Sequence, residues 1–260
     1  MSNRFAAFLA GELGISVLEL FYKEKEALRL AVLDEADFHG QNGEMLRMLD
    51  DFPETKIIYW KELKEQEGLA AFASMSIDLG ILVSWGHKIE SPLLHLTKYG
   101  YLNGHPSFLP YCKGKHPHFW CIQDATPCGG TLHLIDENLD TGPIAWQKEV
   151  QTDWTDTGSS LYDKSWKAVH DLFVENWDAI LALKIPSHQS SGLGKYHFAY
   201  ELGEFTRINL EEKYTARELL NLIRGRTFYP HPAAYFSDEN GTYEVRVTIT
   251  KKNDDTPNLT

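Results

Sequence analysis

Apolar positions along this chain alternate between short continuous runs and helical spacing. Phe5–Leu9 is an apolar run of strand-compatible residues. Gly11 and Gly14 follow, then Ile15, Leu18 and Phe21 at helical intervals, then a second run at Leu28–Leu33. Strand, glycine-containing turn, helix, strand is how a parallel α/β sheet opens. The pattern predicts a helix over Glu44–Leu49, a strand over Lys56–Tyr59 and a polar-faced helix over Leu63–Ala73. A buried strand over Ile77–Val83 ends in Ser84-Trp85-Gly86-His87. Ser91–Leu96 reads as a short helix entered at Pro92, and Gly100–Asn103, Thr131–Ile135 and Ile144–Val150 as further strands. Between Ser159 and Leu183, Leu161, Trp166, Val169, Leu172, Phe173, Trp177, Ile180 and Leu181 form one stripe of a long amphipathic helix.

Beyond that helix the pattern changes. Pro186–Gly194, rich in Ser and Gly, reads as a linker or mobile loop. Thr215 and Glu218 make a capping box at the start of a helix over Thr215–Leu222. An aromatic, proline-containing stretch follows at Phe228–Phe236. A hairpin then pairs Tyr235–Phe236 with Thr242–Thr250 through Asp238-Glu239-Asn240-Gly241, and Lys251–Thr260 reads as a frayed tail. The expected architecture is a mostly parallel α/β sheet flanked by helices over residues 1–185, with a smaller helix-and-hairpin extension over 186–260. The first turn is not G-x-G-x-x-G, so no dinucleotide site is expected.

Charge narrows the partners. The 260 residues carry 25 Lys and Arg against 37 Asp and Glu, a net charge of −12. A protein that grips a long polyanion presents a basic surface, so nucleic acid is not an expected partner, whereas a small phosphorylated substrate held by a few local cations is compatible. No run approaches 18 apolar residues, so no membrane span is expected, and Phe5–Ala10 is too short for the apolar core of a signal peptide. Three cysteines, Cys112, Cys121 and Cys128, form no C-x-x-C pair. This predicts no disulfide framework and a reducing, cytoplasmic setting.

Candidate chemistry concentrates between Leu102 and Gly142. Asn103-Gly104-His105-Pro106-Ser107 places an amide, an imidazole and a hydroxyl at the end of a strand, where ligands bind in parallel sheets. Asp140 lies in a glycine-flanked loop between two later strands and so can return to the same edge. Asn, His and Asp suit acyl transfer between amines. The amide donates to a developing oxyanion, the imidazole takes the amine's proton, and the carboxylate orients or charges the imidazole. No Ser, Cys or Thr nucleophile is needed, because the attacking amine belongs to the substrate. His116, His118 and His133 raise a metal site as a second idea. His116-Pro-His118 is not a helical ligand pair, so structural histidines and no metal are expected.

Asn103-Gly104-His105-Pro106-Ser107-Phe108-Leu109-Pro110, followed by Gly130-Thr131-Leu132-His133-Leu134-Ile135-Asp136 and Leu139-Asp140-Thr141-Gly142-Pro143-Ile144, resembles the signature of the formyltransferase family. The tight match covers roughly residues 80–150 and a looser one most of the chain. The resemblance implies a Rossmann-like fold, N10-formyltetrahydrofolate as co-substrate, and Asn103, His105 and Asp140 as the catalytic set. It implies donor-binding segments at Val83–Ile89 and Asp136–Asp140, here Ser84, Trp85, Gly86, Ile89, Asp136 and Leu139, and matches Ser107 to the family's loop serine.

The extension after residue 185 resembles the post-catalytic part of nucleotide-sugar formyltransferases, and also the start of the C-terminal part of methionyl-tRNA formyltransferases. Its Arg224 and Arg226 offer donors to phosphate oxygens and Tyr229 and Tyr235 offer faces to a base. With Ser107, Gly114 and Lys115 they are the expected substrate-binding set. The expected acceptor is the amine of a nucleotide-linked sugar, a 4-amino-4,6-dideoxyhexose on dTDP. A methionyl-tRNA or other small-amine acceptor is one alternative and a His/Asp metal hydrolase a second. The hairpin's exposed edge points to a homodimer.

Overall fold

The computed structural model describes residues 3–189 and 194–252. The expected linker at 186–194 is therefore only partly within the described residues, and the expected tail lies beyond them after Lys252.

The elements follow in chain order. β1 (Phe5–Leu9), α1 (Gly11–Phe21), β2 (Leu28–Leu33), α2 (Asn42–Leu49), β3 (Lys56–Tyr59), α3 (Gln66–Ser74), β4 (Leu79–Val83) and β5 (Tyr101–His105) build the parallel half. β6 (Lys113–Gly114), α4 (Pro117–Gln123), β7 (Cys128–Leu134), β8 (Ile144–Val150) and α5 (Gly158–Leu181) complete the core. The extension holds β9 (Tyr196–His197), α6 (Glu201–Glu204), α7 (Ala216–Arg226), β10 (Ala234–Asp238) and β11 (Gly241–Val245). The seven-stranded sheet runs β3-β2-β1-β4-β5-β7-β8, parallel through β5 and antiparallel at β7 and β8.

Period-two alternation explains why the central strands are apolar throughout. Phe5, Ala7 and Leu9 of β1 join one core with α1, α2 and α5. Ala6 and Phe8 join a second core on the other face with α3 and Tyr101. The helix α5 is capped by Thr157 and Ser160 through a reciprocal capping box. It packs on β5 and β7 at backbone distance because Gly104 and Gly130 are there: a Cβ on Gly104 would lie 2.7 Å from Val169, and one on Gly130 2.7 Å from the Val169 nitrogen.

Several expectations change. The helix expected over Leu63–Ala73 is broken into a 3₁₀ turn, Glu62–Lys64, and α3. Ser91–Leu96 forms only a single 3₁₀ turn, Leu93–His95. The second hairpin strand ends at Val245 rather than Thr250, because Arg246 and Val247 turn away to the His231 carbonyl and the Thr227 hydroxyl. The cysteine expectation is overturned: Cys121 and Cys128 form a disulfide, the turn between α4 and β7 bringing their Cα atoms to 5.7 Å, and Cys112 stays free and buried. No helix among the described residues is long and apolar enough to cross a membrane.

The extension is tied to the catalytic half. β9 pairs in parallel with β6, and Asn221 of α7 donates to the Ile122 carbonyl of α4.

Candidate active site

Asn103 and His105 sit two residues apart on β5 and so share one face of the sheet, opposite the face that packs on α5. Directly across from Asn103 on antiparallel β7 is His133. The connection from β7 to β8 leaves the sheet near the start of β5, where the Ile135 N–H donates to the Tyr101 carbonyl. It then folds back so that Asp140, held at φ +55°, reaches both histidines. Asp140 thus completes a trio with Asn103 and His105, meeting His105 at the carboxyl end of β5 and Gly114 in the connection that follows.

The hydrogen bonds fix most of the protons. His133 Nδ1 lies 3.0 Å from the Leu134 carbonyl, which can only accept, so Nδ1 donates. Nε2 of the neutral ring then accepts from the Asn103 Nδ2–H at 3.1 Å. One amide proton of Asn103 is engaged and the other remains available. Asp140 Oδ2 accepts from the Gly114 N–H at 2.9 Å. Its Oδ1 is 3.7 Å from His105 Nδ1 and 3.6 Å from His133 Nε2, distances of electrostatic contact rather than hydrogen bonding. His105 stands between two acceptors, with Nδ1 3.7 Å from the Asp140 carboxylate and Nε2 3.5 Å from the Cys112 carbonyl, so the single proton of the neutral ring can sit on either nitrogen.

Burial sets the charges. It pushes the His105 imidazole below its ordinary value of 6.5; Asp140 pulls upward and His133 downward. Burial alone would raise Asp140, but His105, His133 and the Gly114 N–H together hold its carboxyl far below the usual range. The site rests as a neutral imidazole beside a carboxylate that stays ionised.

Gly114 has φ +90°, and a Cβ there would lie 2.3 Å from the His197 carbonyl. Only glycine fits between the Asp140 carboxylate and the β9 strand behind it. Ser107 is buried, its Oγ has no partner, and its carbonyl accepts from Thr131 Oγ1. Lys115 is exposed beside this loop.

The donor segments sit apart from the trio. Ser84, Trp85 and Gly86 line a cavity of about 120 Å³ with Asp34, Phe38 and His87. The Trp85 ring packs edge-on against Phe8 and Trp60, and Ile89 is buried. Asp136 accepts from the Asn138 N–H and the Thr141 hydroxyl, which shapes the loop, and Leu139 is exposed. A second cavity, about 520 Å³, opens between the start of α1 and α5 and is lined by Gly11, Ser16, Gln41, Tyr162, Trp166 and His170, among others. It shares Ser84 with the smaller cavity and does not include the trio in its lining.

The extension's arginines are not brought to the trio. Arg224 donates to the Asp153 and Asp156 carbonyls and to Asn221, with its guanidinium 4.9 Å from the Trp154 ring. Arg226 donates to the Pro232 carbonyl. Tyr229 is 81% exposed and Tyr235 half-buried. Sequence reasoning took His133 for a structural histidine. Its position on β7, in step with Thr131 and opposite Asn103, was the available signal, but only the strand pairing reveals it.

The Formyl transferase family profile matches residues 44–176, just over half of the chain. This chain belongs to the formyltransferase family. A second profile, the N-formyltransferase dimerization C-terminal domain, matches residues 201–251. This formyltransferase is 31% identical over 161 residues to dTDP-4-amino-4,6-dideoxyglucose formyltransferase of Mycobacterium tuberculosis, covering 62% of this chain and 69% of the relative. It is 30% identical over 178 residues to methionyl-tRNA formyltransferase of Thermodesulfovibrio yellowstonii, covering 67% of this chain but only 56% of that relative's length. Its fold is similar to an N-formyltransferase of Helicobacter canadensis solved with folinic acid and dTDP-3-aminofucose (TM-score 0.69, 20% identity, 92% of this chain and 85% of the other).

Proposed function

We propose that this formyltransferase moves a formyl group from N10-formyltetrahydrofolate to the amine of a nucleotide-linked amino sugar, a 4-amino-4,6-dideoxyhexose carried on dTDP. The observation that carries the chemistry is the buried Asn103–His133–Asp140–His105 network. It presents one free amide donor and one free imidazole nitrogen on the same sheet face. Asn103, steadied by His133, donates its second Nδ2–H to the formyl oxygen as charge develops there. The unprotonated nitrogen of the neutral His105 ring takes the proton of the attacking amine, and the Asp140 carboxylate balances the imidazolium that results. Donor binding is assigned to Ser84–Ile89, which borders the 120 Å³ cavity, and to the Asp136–Leu139 loop that leads into Asp140.

The acceptor rests on two supports: the sugar-directed relatives, and a net charge of −12, which disfavours a long nucleic acid. Methionyl-tRNA remains the rival, because relatives of that kind match as well. The β10–β11 hairpin, mostly exposed and within the segment matched by the dimerization profile, is assigned to a homodimer interface. Titration of the intact protein with 5-formyltetrahydrofolate, followed by turnover with dTDP-, UDP- and GDP-linked amino sugars and with methionyl-tRNA, tests the reading. Donor binding with turnover of a dTDP-amino sugar is expected. Absence of reduced-folate binding by folded protein overturns the donor, and salt-sensitive turnover of tRNA alone overturns the acceptor.

A further inference from the structure

The loop that supplies the Gly114 N–H to Asp140 continues directly into a group of cations and aromatic rings that the trio does not use. His116 is one residue beyond Lys115, at φ +58°. Its ring lies 6.1 Å from that of His118. His118 in turn meets Tyr162 of α5 at 5.4 Å and Phe228 at 5.3 Å, and Phe228 meets His231 at 4.8 Å. Arg226, at the end of α7, completes the group. One of its terminal nitrogens donates to the Pro232 carbonyl, while its Nε is buried without a partner.

Three properties set this group apart from packed aromatics. None of His116, His118 and His231 makes a side-chain hydrogen bond or ion pair among the described residues, so the imidazole nitrogens have free capacity. The charges around them are of one sign. Lys115, Arg226 and His231 act on His116, and His116, Arg226 and His231 act on His118, whereas the carboxylates of this region act on its neighbours, Glu244 on Arg226 and Asp163 and Glu12 on Tyr162. Finally, Tyr162, which His118 meets edge-on, also lines the 520 Å³ cavity, so the group adjoins that cavity through this one ring. In a chain with an excess of acidic residues, a patch of one-signed cations with free donors calls for an anionic partner.

We infer that Lys115, His116, His118, Arg226 and His231 form a diphosphate subsite, which holds the pyrophosphoryl bridge of the acceptor while its sugar amine reaches the trio. The identity of the acceptor rests on the reading above, but the anion site does not. Burial and mutual repulsion hold the His116 imidazole below its ordinary value and that of His118 down to about 3, so both rings are neutral in the free protein at pH 7. A diphosphate reverses that balance, because an adjacent anion favours the protonated ring. Proton uptake on binding therefore falls to His116, the less depressed of the two rings, and this coupling tightens binding as pH falls toward 6, while His118 stays neutral and donates one N–H.

Calorimetric titration of the intact protein with inorganic pyrophosphate, dTDP and thymidine, in two buffers of different ionisation enthalpy at pH 6 and pH 8, tests the site. Pyrophosphate and dTDP bind and thymidine binds weakly; after subtraction of the ligand's own terminal-phosphate ionisation, which falls in the same range, a net uptake of protons remains that the histidine variants lack. The doubly substituted His116→Asn, His118→Asn protein loses roughly tenfold or more in dTDP affinity, together with the pH dependence, and keeps 5-formyltetrahydrofolate binding. Arg226→Gln is the second variant should the double one not fold, and loses dTDP affinity similarly. Unchanged dTDP affinity in the folded variants, no net proton uptake, or thymidine binding as tightly as dTDP overturns the subsite. If the variants lose pyrophosphate binding but no amino-sugar nucleotide is formylated by the unsubstituted protein, the acceptor reading fails and the anion site stands. If dTDP-amino sugars are formylated with the same KM by the unsubstituted and variant proteins, the reverse holds.

Discussion

Among the described residues three buried histidines lie within reach of carboxylates, and two of them, His105 and His197, are used in opposite ways. His197 is clamped. One ring nitrogen is 2.9 Å from Asp124, the other 3.1 Å from Glu201, and its face stacks on Trp120 at 3.9 Å with the planes 5° apart. His105 is held by burial and backbone alone, with Asp140 at 3.7 Å and no hydrogen bond shorter than 3.5 Å. The sequence separates them only by motif, since His105 stands in Asn103-Gly104-His105-Pro106-Ser107 and nothing marks His197, and it says nothing of their surroundings. The difference is free hydrogen-bonding capacity. A saturated imidazole fixes structure, and an unsaturated one, in a site where every neighbour is fixed, is available for proton transfer.

Exchanging His105 breaks the comparison most sharply. His105→Asn is expected to lower turnover by at least ~10² while the protein still folds and binds reduced folate, the scale of a positioned general base. Near-normal kcat in single-turnover assays of the folded variant removes His105 from the chemistry. The same contrast appears with pH. The His105 value is depressed, so the base stays neutral and turnover holds at pH 6.5 and above, then falls on the acidic side. The sign for stability agrees. Below 6.5 the unfolded chain binds a proton that the folded ring does not, so this group costs stability as pH drops toward its depressed value. A kcat profile that rises toward acid contradicts the assignment.

His197→Gln is the opposite case. The expected loss is in stability, about 1–3 kcal/mol by denaturant midpoint, from the removed stacking and charged hydrogen bonds. Turnover of the folded protein is retained, because it is the backbone of residue 197, not its ring, that accepts from the Lys115 N–H behind Gly114. A large kcat loss in a stable variant makes His197 part of the machinery.

The smallest effect is expected at Arg224. The sequence presents it as a phosphate ligand, whereas the structure engages its donors with Asp153, Asp156 and Asn221. Arg224→Ala is expected to cost about 1–2 kcal/mol of stability and to leave donor and acceptor affinity unchanged. A tenfold loss of acceptor affinity restores it to the site.

The legible part of this protein was local. Apolar periodicity marked β1, β2, β3, β8 and α5 closely, since burial of a face imposes a repeat on the residues themselves. The capping box at Thr215 and Glu218 was equally readable. α4 escaped because Pro117–Gln123 is almost wholly apolar and shows no stripe, and β6 and β9 escaped because two-residue strands have no pattern. The Cys121–Cys128 pairing escaped because it depends on a turn between helix and strand, not on spacing.

The sequence by itself determined the α/β architecture, the motif that places this chain among the formyltransferases, and the three residue types that can carry acyl transfer. Only the tertiary structure decided which groups have capacity left over. The antiparallel pairing of β5 with β7 sets His133 against Asn103, and the fold-back of the 135–142 connection brings Asp140 under two imidazoles. The β6–β9 pairing closes behind Gly114 to hold that carboxylate. Side-chain chemistry is a property of residues, but desolvation and the satisfaction of donors belong to contacts between segments distant in the chain, and those contacts exist only in the folded protein.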